Sequence, residues 1–240
     1  MGSVIKVRTI SSLTETAIQM SNSKWARPVT FPSGWLEVRF GIRYHIVNSG
    51  ANLTSTPNFF VGFSSGTSNI AGDATPTHVI GMRTQQATWT WNSGNGVAGD
   101  YSLFTSTNSL GCYKNVAGTW SSFAVGTMGG AYFPAGAGGN NADRAMLLVS
   151  LSRPTSSNGS QTYTLKIFSK NTSTAQDVSS SDFANQMALS TPSFTNYGLQ
   201  SSNNTTIDQT TNGIFDSVNV WWDRSDALLE ITDIDFARIS

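Results

Sequence analysis

Charge is scarce in this sequence. Of 240 residues only 12% are Asp, Glu, Lys or Arg, and the 14 basic and 14 acidic side chains cancel. A chain without net charge offers no electrostatic footprint for nucleic acid or for an anionic membrane surface. Cysteine is scarcer still. Cys112 stands alone, which excludes an intrachain disulfide and leaves a small buried hydrophobe as its ordinary role. No apolar run reaches the roughly 18 residues that a membrane-crossing helix needs. The start, Met1 to Arg8, lacks the apolar stretch of a signal peptide, so the expectation is a chain made and kept in a cytoplasm, or one whose leader has been removed. What is abundant is small and polar: roughly a third of the chain is Ser, Thr and Asn, with 22 Gly. Together with 13 Phe and 7 Trp in a hydrophobic share of 38%, this composition suits strands, turns and a sizeable core.

Alternation with period two dominates the chain. Leu36, Val38, Phe40, Ile42, Tyr44 and Ile46 interleave with Glu37, Arg39, Gly41, Arg43 and His45, which predicts a long strand with one buried face. Further strands are expected at Val4 to Ile10, Asn58 to Phe63, Thr77 to Arg83, Ala87 to Trp91, Ala145 to Leu151, Gln161 to Ser169, Phe215 to Trp222 and Leu228 to Ile239. Ser, Gly, Asn and Pro clusters separate them, and Arg153 to Gln161 reads as a hairpin connection. Two short helices are expected, at Thr14 to Met20 and at Ser181 to Met187, where a capping residue precedes Phe183 and Met187 at i,i+4. No strand alternates with a long helical pattern, which excludes a doubly wound α/β sheet. The expected fold is therefore all-β: one domain over residues 1–240, an antiparallel two-sheet β-sandwich or jelly roll, with residues 126–141 as a long Gly-rich loop.

The closing quarter carries a recognisable arrangement. Phe215-Asp216-Ser217-Val218-Asn219-Val220-Trp221-Trp222, a polar turn, and then Leu229-Glu230-Ile231-Thr232-Asp233-Ile234-Asp235-Phe236 follow one another. This resembles the last strands of concanavalin A-like lectin/glucanase and laminin-G-like sandwiches. The resemblance implies two curved antiparallel sheets whose concave face often holds glycans, and it does not by itself fix function.

Candidate chemistry is thin. Glucanases of that fold set paired carboxylates on one strand, and a retaining glycosidase needs them about 5–5.5 Å apart. The nearest segment here is Glu230 to Asp235, where regular alternation puts Asp233 and Asp235 on one face and Glu230 on the other, so solvated or turn-capping acids are expected instead. Asp223 and Asp226 are the candidate calcium ligands, although no Asp-x-Asp-x-Asp-Gly loop occurs. His45 and His78 stand far apart, with no zinc-binding spacing. Gly126 to Gly130 lacks the Lys-Ser/Thr of a phosphate-binding loop. Aromatic residues are the better lead. Trp89 and Trp91 fall on one strand face about 7 Å apart, a spacing suited to successive sugar rings, and Trp120 and Tyr132 lie beside or within the Gly-rich stretch. Trp221 and Trp222 must face opposite sides of a strand, so one of them belongs in the core.

The main functional expectation is a non-catalytic virion protein, a bacteriophage tail, fibre or capsid-surface component that assembles as a homo-oligomer with other virion proteins. The alternatives are a secreted bacterial glycan-binding module that meets cell-surface glycans and, third, a glycoside hydrolase of the same fold. No cofactor, no nucleic acid and no membrane insertion are expected, with calcium as the one optional ion.

Overall fold

In the computed structural model, Glu37–Asn48 forms a 12-residue strand, and Val38, Phe40, Ile42 and Tyr44 are buried along it. Leu36, which the alternation placed on that face, precedes the strand and is 41% exposed. The structure describes residues 8–9, 18–21, 23–29, 35–48, 59–65, 78–84, 100–102, 110–116, 119–125, 132–136, 145–155, 159–170, 178–188, 197–209, 215–222 and 227–239. The strands among them are β1 (Arg8–Thr9), β2 (Ile18–Met20), β3 (Ser23–Pro28), β4 (Glu37–Asn48), β5 (Phe59–Ser64), β6 (His78–Thr84), β7 (Asp100–Ser102) and β8 (Leu110–Val116). They continue with β9 (Thr119–Val125), β10 (Tyr132–Gly136), β11 (Ala145–Ser152), β12 (Gly159–Lys170), β13 (Tyr197–Gln209), β14 (Ser217–Trp222) and β15 (Ala227–Ile239), and one helix, α1 (Ser180–Ala188), lies between β12 and β13.

These strands form two sheets. The larger runs β1-β15-β4-β11-β12-β13, with β2 on β15 and β10 and β7 attached beside β4. The smaller runs β3-β14-β5-β6-β8-β9. Pairing is antiparallel except between β10 and β4, where Ala135 and Gly136 meet Ile46 and Val47 beyond the end of β11. The two inner faces share one core. Phe40, Ile42, Val149, Tyr163, Leu165, Leu229 and Ile231 come from the larger sheet, and Phe59, Val61, Phe63, Ile80, Met82, Val218, Val220 and Trp222 from the smaller. Each large side chain buried there is worth about 1.5–3 kcal/mol, which is how a chain with one cysteine builds a stable sandwich.

Helix α1 lies against the outer face of the larger sheet. Phe183 and Met187 pack with Met146, Leu148, Phe168, Val178 and Ala237. Gly41 makes this possible, because a Cβ there would meet the Phe183 ring at 3.1 Å and the Met187 sulfur closer still. Ser179 caps the helix: its Oγ accepts from Asp182 N at 3.1 Å and donates to the Asp182 carboxylate at 2.6 Å.

The structure corrects several expectations. Ile18–Met20 is a strand on β15, not helix, because Met20 is needed in the core beside Leu229; residues 14–17 lie outside the described residues. Tyr132–Gly136, expected as loop, is a strand paired with both β4 and β7. Ala87 to Trp91 lies outside the described residues, as does most of Val4 to Ile10. Strands β3, β7, β8, β9 and β13 were not foreseen, and the hairpin joining β11 to β12 was.

Candidate functional site

On β14 the alternation separates two sets of residues. Val218, Val220 and Trp222 enter the core, while Ser217, Asn219 and Trp221 face outward from the smaller sheet. All six are buried, so the outward face is no ordinary solvated surface. Register brings Phe60 and Lys24 alongside Trp221, and Gly62 and Ala26 alongside Asn219. The Phe60 and Trp221 rings lie 4.8 Å apart, tilted by 36°, and with Val79 form a small apolar cluster apart from the main core.

Two glycines shape this face. Gly62 and Gly81 are partners across β5 and β6, and Phe60 Cζ lies 2.8 Å from where a Cβ would stand on either one. The Phe60 ring therefore rests across bare backbone, and any side chain at those two positions would displace it. Beside the rings, the Asn219 amide donates to Ser64 Oγ, fixing its orientation in a residue that is only 3% exposed. Ser217 Oγ donates to the Asp216 carboxylate at 2.9 Å, and Asp216 N donates to the Ser64 carbonyl at 3.0 Å. At the rim, β3 is half-buried, and Lys24 holds its ammonium 5.1 Å above the Trp221 ring. The arrangement is a buried ring pair, a buried, oriented amide and a half-buried cation at the sheet edge.

The acids of β15 form a contrasting set. A bulge at Thr232 shifts the register, so that Ile231 meets Tyr44 and Asp233 meets Arg43. The expected phase is thereby overturned: Glu230, Asp233 and Asp235 pair with His45, Arg43 and Gly41 and share the outer face of the larger sheet. The three are engaged in separate ways. Asp233 is ion-paired with Arg43, whose guanidinium also donates to Thr232 Oγ1, Ser180 Oγ and the Val178 carbonyl. Glu230 accepts from Gln19 at 3.2 Å, and Asp235 is buried, opposite the glycine that Phe183 and Met187 cover. Arg43 thus fastens the helix start to the bulge.

A third polar group lies in the core itself. Burial pushes the Tyr163 phenol above its ordinary pKa, and the nearby Arg153 guanidinium pulls weakly the other way. Arg153 stacks 4.3 Å over Trp35 and donates from Nε to the Trp35 carbonyl at 2.8 Å.

Of the six residues singled out from sequence, two lie among the described residues, on strands of different sheets. Trp120 belongs to β9 of the smaller sheet, opposite Asn115, and Tyr132 to β10, opposite Ser102 and attached to the larger sheet. Trp89, Trp91, Asp223 and Asp226 lie outside the described residues. Among the described residues, no group of three or more His, Cys, Asp or Glu is placed to hold a metal ion. The residues that sequence reasoning missed are Phe60, Asn219 and Lys24. Their signal was available for Asn219, which alternates with Val218 and Val220, but not for the other two, which arrive through register.

No family model and no curated protein matches the chain. Solved structures with similar architecture include the Emp46p carbohydrate recognition domain in its metal-free form, with a TM-score of 0.41 at 9% identity over 98% of this chain and 86% of that one. Peanut lectin with a 9mer peptide gives a TM-score of 0.36 at 10% identity over 99% and 92%. The PL-14 alginate lyase from Aplysia kurodai gives 0.35 at 11% identity over 96% and 86%. The two-sheet antiparallel β-sandwich itself is established by the strand order and register described above.

Proposed function

We propose that the chain is a non-catalytic, lectin-like β-sandwich that binds glycans on the outer face of its smaller sheet. The observation that supports this reading is the mixture of rings and polar groups on that face, the buried Trp221–Phe60 pair beside the fixed amide of Asn219, bordered by the half-buried rim of β3 where Lys24 lies over Trp221. Aromatic rings take the apolar faces of sugars, and an oriented amide reads hydroxyl groups in a setting where its own geometry costs nothing further to fix. Two of the three carboxylates of β15, Asp233 and Glu230, are engaged with Arg43 and Gln19. Such a face supports the glycan-binding expectation, which could be met in a secreted lectin or on a virion surface. Mass spectrometry of purified particles tells the two settings apart.

The test is a glycan array probed with the full chain, followed by calorimetry on the strongest hits. Asn219→Ala and Trp221→Ala should each lower affinity at least tenfold, while Gln19→Ala on the other sheet leaves it unchanged. Binding that ignores both substitutions in folded protein, or binding to no glycan on the array, would overturn the reading. Release of reducing ends or unsaturated products from a polysaccharide panel would overturn its non-catalytic part.

A further inference from the structure

We draw no further inference here: the strongest candidate, the outer face of the smaller sheet at Phe60, Val79, Asn219 and Trp221 with Lys24 at its β3 rim, is buried at its centre, and nothing in the structure shows what covers it.

Discussion

The two sheets share a core and differ in what they do with their outer faces. The larger sheet presents Met146, Leu148, Phe168 and Ala237, an apolar surface, and covers it with its own helix through Phe183 and Met187. Two of its arginines are spent within the protein, Arg43 on Asp233 and Arg39 on Glu37. The smaller sheet presents Phe60, Val79 and Trp221 with Asn219, Ser64 and Ser217 among them, and leaves Lys24 at the rim with an aromatic ring for company. Polar groups interleaved with rings are an inefficient way to build a structural interface, since each buried amide or hydroxyl must be satisfied at the expense of apolar contact. The first face is closed by its own helix; the second is buried at its centre, sets polar groups among its rings and is half-buried at its β3 rim.

The comparison breaks if disturbing the first face affects binding or disturbing the second leaves it intact. The largest effect on stability is expected from Phe183→Ala, which empties the centre of the helix contact and should cost about 3–5 kcal/mol in urea unfolding while sugar affinity, measured in folded protein, is unchanged. Gly41→Val attacks the same contact by overfilling it, at about 1–3 kcal/mol. Arg43→Met should cost a similar amount, because it abandons the Asp233 carboxylate and the Val178 carbonyl together. Hydrogen exchange sharpens that prediction: amides of α1 should lose protection, and those of β14 should keep it. On the second face, Asn219→Ala should cost about 1–2 kcal/mol of stability by removing the buried hydrogen bond to Ser64, and its main consequence should be the loss of sugar binding. If Asn219→Ala proves costly to stability and harmless to binding, the two faces are both structural and the contrast is gone.

Much of the first face could be read from the sequence. The six-residue alternation around Phe40 fixed the phase of β4, and Phe183 with Met187 four residues on announced the helix that covers it, within two residues of its observed cap at Ser179. The bulge at Thr232 could not be read, since an inserted residue leaves no mark in an alternation until the partner strand is known, and it moved Glu230 to the face of Asp233 and Asp235. Strand β13 was hidden for another reason. Its sequence, YGLQSSNNTTIDQ, has almost no apolar period, and its extended form is held by backbone pairing along β12. The second face was half legible. That Trp221 and Trp222 point to opposite sides follows from one strand, whereas Phe60 over Gly81 and Lys24 over the indole depend on neighbours 21 and 197 positions away, which only register supplies.

The smallest expected effect belongs to neither face and serves as the control for both. Tyr163 lies in the shared core, and burial holds its phenol protonated beyond the ordinary range. In the unfolded chain the same phenol ionises first, so the unfolded state binds fewer protons once pH passes that range, and stability falls as pH rises further towards the folded-state value. Below the range the contribution of Tyr163 is fully present. Urea midpoints taken from about pH 8 to about pH 11 should therefore decline more steeply for the parent protein than for Tyr163→Phe, which has no phenol to ionise. Phe183→Ala and Asn219→Ala should shift the whole curve without changing that difference in slope, because the groups they remove do not titrate there. A slope difference abolished by either would mean that the core senses the state of an outer face, and that the two faces are coupled through Tyr163 and not merely back to back.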